Sequence, residues 1–330
     1  MHLVAGLADD GAILAELINI ACGDKRNFTP VTEQTLQALW SRNPTYANAG
    51  LLLVKDDNGA LLGATHALYD SDAQIGYLPF LLSRPGHEDR VWPFLLSASE
   101  QYLKKASRLT IGSPYAPLYC ALEGRFQPLW GTTEIMEPAE TDAKLIAFLR
   151  ERGFRLQQTY LTMTRATNGE NKRDGSFCYS KQEEPSPLFT LFQKEPSPLF
   201  SLDRLQGAEC WENNYLWYGQ TAAEEFGLYN PALNVLLVRD HYRVIGHITW
   251  YPMRQANKAA ICDLAVAKRH RGRGIGAYLL YSVLTRLYEL GFSEVELCMT
   301  PTRSKAAYRL YLRAGFGPAA TWLEMSKPLH

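Results

Sequence analysis

Val266-Ala-Lys-Arg-His-Arg271-Gly272-Arg273-Gly274-Ile275-Gly276-Ala277 is the stretch on which the fold turns. It follows an apolar run, Ala259–Val266. It opens a segment whose apolar residues Ile275, Tyr278, Leu279, Val283, Leu287 and Leu290 recur at three and four, up to Gly291. That spacing predicts an amphipathic helix with a glycine stop, so the stretch is a strand-to-helix turn. Glycines 272, 274 and 276 let the backbone approach a ligand closely. They do so at a helix start, where unbonded amides and the helix dipole favour an anion. Lys268, Arg269, Arg271 and Arg273 add positive charge over the same few residues. These features together suit a pyrophosphate. A dinucleotide fingerprint needs G-x-G-x-x-G after the first strand of a parallel βαβ unit, and a mononucleotide loop needs G-K-[ST]; neither is present. A solvated basic loop is the plainer alternative, but solvation does not call for glycines alternating with arginines.

Upstream, Val235–Arg239, Asp240–Arg243 and Val244–Trp250 read as strand, tight turn, strand. The first half of the chain has the same grammar: Leu51–Val54, then Lys55-Asp-Asp-Asn-Gly59, then Leu61–His66. Asn58-Gly59 is a hairpin signal because both residues tolerate positive φ. Each hairpin precedes a third apolar strand (Ile75–Leu82 and Ala259–Val266) and an amphipathic helix (Val91–Lys105 and Gly274–Leu290). A further strand and a closing helix complete each half. Those helices end alike, at Phe148-Leu149 through Gly153-Phe154 and at Leu310-Tyr311 through Gly315-Phe316, each with a glycine able to take the left-handed cap. The order of elements is thus an internal repeat. Between the copies, residues 166–184 have linker composition, and Glu-Pro-Ser-Pro-Leu-Phe occurs at 184–189 and again at 195–200. The hexapeptides read as a proline-stiffened tether whose Leu-Phe pairs dock on a domain.

The glycine loop resembles the CoA-binding motif of the GNAT superfamily, [QR]-x-x-G-x-[GA], through Arg271, Gly274 and Gly276. The family's later motif, N-x-x-A-x-x-[LF]-Y-x-x-x-G-F, is matched by Ala307, Leu310, Tyr311, Gly315 and Phe316, with Ser304 in place of the asparagine. The resemblance covers roughly residues 205–330 and is weaker in the first half. It implies an α/β (α+β) fold of two GNAT-like domains, each a mixed, mostly antiparallel twisted sheet flanked by helices. The expected boundaries are 1–165 for a degenerate, non-catalytic copy, 166–204 for the linker and 205–330 for the catalytic domain.

The same resemblance implies acetyl-CoA as cosubstrate, no metal, and transfer to the amine of a small molecule by direct attack. Amides of Arg271, Gly272, Arg273, Gly274, Ile275, Gly276 and Ala277 would hold the pyrophosphate. Leu264, Ala265 and Val266 would pair with the pantetheine arm, and Ser304 takes the position of the motif asparagine. Tyr311 takes the general-acid position, where a phenol can protonate the departing thiolate; a tyrosine packed on the core face is the other reading. The family often carries a base glutamate six residues before Val266, and here that residue is Ala260. Asp263 is the candidate base, although strand alternation turns it to the opposite face unless a bulge intervenes. Glu296, Cys298, Glu224 and Glu225 are weaker candidates. Ala260 keeps open a non-catalytic acyl-CoA sensor or scaffold, and a protein or peptide acceptor is a further alternative.

Aligning Phe94-Leu95-Leu96 with Tyr278-Leu279-Leu280 puts His87, Arg90 and Trp92 where Arg271, Gly274 and Gly276 stand, and Leu149 falls at Tyr311. The first copy is therefore expected not to turn over CoA but to support the second. The aromatic, proline-rich stretch from Tyr115 to Gly131 either walls the acceptor pocket or packs on itself. His66 and His247 lie in matching strands and carry no assigned role.

The remaining composition is that of an ordinary globular chain: 330 residues, 46% hydrophobic, 21% charged, with zero formal net charge. Such a length suits two domains, and the neutral balance gives no reason to expect nucleic acid or a membrane surface as partner. The six cysteines (22, 120, 178, 210, 262 and 298) lack metal spacing and read as reduced thiols. The first residues lack a basic segment followed by an apolar one, so a cytoplasmic location is expected.

Overall fold

The helices and strands of the chain are seen in a computed structural model that describes residues 1–41, 50–112, 119, 128–132, 136, 138–167, 202–206, 234–240 and 243–329. In chain order they are β1 (His2–Ala5), α1 (Gly11–Cys22), α2 (Glu33–Ser41), β2 (Leu51–Lys55), β3 (Leu61–His66), β4 (Leu68–Asp70), β5 (Ile75–Leu78), β6 (Leu81–Ser83), α3 (Glu88–Tyr102) and β7 (Arg108–Ile111). There follow α4 (Ala143–Glu151), β8 (Arg155–Ala166), β9 (Leu202–Gln206), β10 (Asn234–Asp240), β11 (Arg243–Pro252), β12 (Lys258–Val266), α5 (Ile275–Glu289), β13 (Glu294–Met299), α6 (Lys305–Arg313) and β14 (Gly317–Pro328). Among the described residues no helix is long and apolar enough to cross a membrane.

Two compact units result. One is Met1–Leu161 together with Ala320–His330; the other is Thr162–Ala319. The expected division at 165, with a contiguous domain from 205 to the end, therefore does not match how the contacts divide. The physical reason is strand pairing. Met325 to Pro328 of β14 run antiparallel to Ile111 to Arg108 of β7, and Leu323 and Met325 enter a core with Leu95, Leu109, Leu149 and Phe154. β9 begins at Leu202, inside the expected linker, and pairs with β10. Both Glu-Pro-Ser-Pro-Leu-Phe segments lie outside the described residues. Met325→Ala should lower the unfolding free energy by about 2–5 kcal/mol, the usual cost of emptying a buried methionine site. Denaturant titration of the full chain measures it, and an unchanged midpoint would remove β14 from this core.

In the first unit, β1-β2-β3-β6 form one sheet and β4-β5-β7-β14 lie side by side in another. The third apolar strand of the repeat is thus broken at Pro79-Phe80: β6 stays with β3, while β5 pairs in parallel with β7. The β2–β3 turn uses only Gly59 at positive φ (+85°); Asn58 does not share it. Asp56 Oδ1 accepts the Asn58 and Ala60 amides and closes the turn instead. The described residues of the 115–131 stretch pack inward. Tyr119, Leu129 and Trp130 are buried with Phe80, and the Tyr119 hydroxyl bonds His66 Nδ1 at 2.8 Å.

In the second unit the strand order is β13-β12-β11-β10-β9, and β8 passes from the first unit into the second after Leu161. Ile275, Leu279, Val283 and Leu287 of α5 are buried, as their spacing predicts. A Cβ on Gly246 of β11 would come within 3.1–3.3 Å of Ile275, Leu279 and the Ala265 carbonyl, so glycine lets α5 lie close on the sheet.

Candidate active site

The glycine loop is built as a short 3-10 turn, Lys268–His270, followed by Arg271 in extended conformation. Gly272 and Gly274 have φ of +76° and +82°, and Gly274 is the N-cap of α5 without a side-chain cap. Such φ values cost other L-residues about 1–2 kcal/mol, so the alternation of glycine is a conformational requirement. The first helical bond runs from the Tyr278 amide to the Gly274 carbonyl at 2.9 Å. The four amides from Gly274 to Ala277 therefore have no partner within the helix. Gly276 is different: its Cβ position meets Leu310 and Val266 at 3.7 Å, ordinary contact, which suits the Gly-or-Ala of the motif. Arg271 Nε donates to the Val266 carbonyl at 2.8 Å and ties the loop to the end of β12. Arg271, Gly272 and Arg273 are exposed.

That end of β12 is open on one side. β12 pairs in parallel with β13 only from Lys258↔Glu294 to Ile261↔Leu297, whereas its pairing with β11 continues to Val266↔Gly246. Leu264, Ala265 and Val266 are accordingly half-buried although they lie within the sheet.

The opening starts at a bulge. Thr249 pairs with Asp263 and Trp250 with Ile261, so Cys262 is the extra residue. Paired residues share a face and consecutive ones alternate. Asp263 therefore lies on the face of Thr249, Tyr251 and its partner Ala260, opposite to Ile261. The alternation that disfavoured Asp263 is broken one residue before it. Glu296, paired with Ala260 on β13, shares this face and is fully buried, and Cys298 is half-buried on the same strand. Glu224 and Glu225 lie outside the described residues.

His247, two residues from Thr249 on β11, belongs to the same face, and its Nε2 stands 2.5 Å from Asp263 Oδ2. The imidazole is fully buried, while the Asp263 side chain keeps 28% of its exposure. The Asp263 amide donates to Thr249 Oγ1 at 3.1 Å. Nothing in the spacing of the two histidines distinguished His247 from His66; only the bulge brings Asp263 to it.

Tyr311 is the one buried residue of α6 and packs edge-on against Phe316, with ring centroids 5.9 Å apart. Burial raises its phenol above the ordinary value of 10.0, and the charge of Asp263 adds to the shift. Ser304 caps α6: its Oγ accepts the Ala307 amide at 3.2 Å. The helix ends with the Gly315 amide on the Leu312 carbonyl and the Phe316 amide on the Tyr311 carbonyl. α4 closes in the same way through Gly153 and Phe154, the latter bonded to Leu149, so Leu149 stands at the Tyr311 position.

The first unit differs at each of these points. A Cβ on Gly63 of β3 would meet Val91 and Leu95, as one on Gly246 meets Ile275 and Leu279. This correspondence sets Val91 against Ile275, so α3 begins a turn earlier, at Glu88. The extra turn Glu88-Asp89-Arg90 occupies the positions of Gly272-Arg273-Gly274. Glu88 and Asp89 stand in this first turn, both paired to Lys144 at 3.1 Å. A cavity of about 520 Å³ adjoins it, lined among others by Glu88, Trp92, Trp130, Asp142 and Lys144. Ala64 follows Gly63, where His247 follows Gly246.

The Acetyltransferase (GNAT) family model matches residues 193–316. No curated protein matches the chain in sequence. Among solved structures, a GCN5-related N-acetyltransferase from Sphaerobacter thermophilus is similar with a TM-score of 0.63 and 15% identity, over 100% of this chain and 96% of that one. A tandem GNAT protein from the clavulanic acid biosynthesis pathway is similar with a TM-score of 0.67 and 14% identity, over 100% and 98%. A GCN5-related glucosamine N-acetyltransferase region of a fungal multi-domain GH3 β-N-acetylglucosaminidase is similar with a TM-score of 0.62 and 16% identity, over 99% of this chain and 38% of that one. At such identities the likeness is one of fold. Residues 193–316 thus match the acetyltransferase (GNAT) family model, in a chain whose fold is the GNAT fold.

Proposed function

We propose that the second unit transfers an acyl group, acetyl foremost, from CoA to the amine of a small molecule by direct attack in a ternary complex. The observation that carries this reading is the parting of β12 from β13 beside the glycine loop, with Asp263 at the parting. The free amides from Gly274 to Ala277 and the flanking arginines suit the pyrophosphate of acetyl-CoA. The backbone of Leu264–Val266, unpaired on its β13 side, suits the pantetheine amides, and Ser304 takes the motif position beside them. Asp263 would take one proton from the incoming ammonium, freeing the lone pair that attacks the thioester carbonyl. Tyr311, kept protonated by burial, would give its proton to the leaving thiolate. It would regain one from the amide nitrogen as the product forms, and Asp263 would release its own to solvent.

The first unit is proposed not to turn over CoA. The carboxylates of Glu88 and Asp89 stand where an anion would be received, and Leu149 replaces the phenol.

The test is release of free thiol from acetyl-CoA over a panel of small amines. Turnover with at least one amine is expected. Binding of acetyl-CoA without turnover on any amine would favour a sensor, and absence of both would overturn the reading. Cys262 offers a separate readout at the opening. With acetyl-CoA at about ten times its Kd, alkylation of Cys262 should slow about tenfold, because only the free protein reacts. Cys22 should stay unmodified throughout, since burial pushes its thiol up to about 12. Mass mapping of alkylated peptides reads both, and an unprotected Cys262 would place the ligand elsewhere.

A further inference from the structure

We infer that His247 is the positioning residue of the proton acceptor, a step that rests on the acyltransfer reading above. An ionised carboxylate only accepts hydrogen bonds, so at 2.5 Å from Asp263 Oδ2 the His247 Nε2 carries the proton and donates it. The Thr249 hydroxyl takes the Asp263 amide, which holds the same residue from its backbone side. Between them the carboxylate has its rotation fixed. Oδ2 is engaged by a fully buried imidazole, and Oδ1 is the oxygen left to receive the ammonium proton.

The arrangement depends on two long-range matches. The Cys262 bulge turns Asp263 to the face of β11 that carries His247, and the pairing of β11 with β12 sets Thr249 opposite Asp263. The first unit has Ala64 at the His247 position, and its Tyr311 position is Leu149; the pair and the phenol are absent together. The residue acts through Asp263, being wholly buried behind it, and it has no direct contact with a substrate to make.

A donated hydrogen bond favours the charged form of a carboxylate. Removing the donor withdraws that support from the charged carboxylate, so the acid limb of kcat/KM for the amine is expected to move to higher pH. The other titratable groups on this face, among the described residues, are Tyr251 on β11, Lys258 on β12 paired to Glu294, Glu296 and Cys298 on β13, and Tyr311 on α6. None of them is altered by the substitutions that follow.

The experiment compares His247→Ala and His247→Gln in the full chain, with the acetyl-CoA Kd by calorimetry and kcat/KM against pH. The Ala variant is expected to lose about tenfold or more in kcat/KM for the amine, with acetyl-CoA Kd within about twofold of wild type and the acid limb moved upward. The Gln variant, whose amide N–H reaches about where Nε2–H stands, is expected to recover most of the rate and to return the limb. Wild-type kcat/KM and an unmoved limb in the Ala variant would overturn the inference, as would a Gln variant no better than Ala. Nitrogen-15 NMR of the histidine ring supplies a readout independent of turnover: a proton on Nε2 at neutral pH is expected, and its absence would overturn the contact. Failure of wild type to release thiol with any amine would instead sink the acyltransfer reading, leaving the Nε2 proton to be judged by NMR alone.

Discussion

Tyr311→Phe should lower kcat about tenfold or more while leaving the acetyl-CoA Kd unchanged. Only a hydroxyl is removed, so the edge-on packing against Phe316 and the buried volume survive. What is lost is the proton for the thiolate, and a positioned proton donor is typically worth about 10² to 10⁴ in rate. Burial, reinforced by the Asp263 charge, holds the phenol protonated beyond its ordinary value of 10.0. Wild-type kcat should therefore show no loss from phenol ionisation until above that pH, whereas a donor with a lowered pKa would fade below it. Steady-state kinetics with calorimetry separates the two constants. Wild-type kcat in the variant would remove Tyr311 from the mechanism.

Arg271→Glu combined with Gly274→Trp should abolish acetyl-CoA binding. Gly274 has φ +82° at the N-cap, a conformation that costs other L-residues about 1–2 kcal/mol, and an indole there also covers the amides that follow. Arg271 is exposed and holds the loop to the Val266 carbonyl. Glutamate removes that bond and sets a negative charge where a pyrophosphate is expected. A folded variant by circular dichroism with no heat of binding is the expected result. Retained binding would show that the ligand uses another surface, and the assignment of the loop would fall.

The repeat and the loop were legible in the sequence because both are local. Helix α5 follows from apolar spacing, its stop from Gly291, and the matching ends of α4 and α6 from one glycine each, since caps and periodicity involve neighbours a few residues apart. The decay of the first loop was legible too, though its form was not. His87, Arg90 and Trp92 stand in the sequence where the loop has Arg271, Gly274 and Gly276, and the structure makes Glu88-Asp89-Arg90 an extra helical turn, with Val91 and Leu95 packed on Gly63.

The face on which Asp263, the candidate base, would lie was beyond reach for a different reason. A strand's faces follow from alternation, and a single bulge inverts them without any mark in composition. Cys262 has no feature that announces it as the extra residue. Only its pairing with β11 reveals that Asp263 joins the face of Ala260 and comes to His247. The same holds for β14, whose last residues pair with β7 and whose Leu323 and Met325 enter the core beside it. By itself the sequence determined the glycine loop, the helix behind it, the phenol at Tyr311 and the two-copy order of elements, all set by contacts between near neighbours. The tertiary structure alone decided the Asp263–His247 pair and the unit to which the last strand belongs, because strand register and partner are chosen by backbone bonds between segments far apart in the chain.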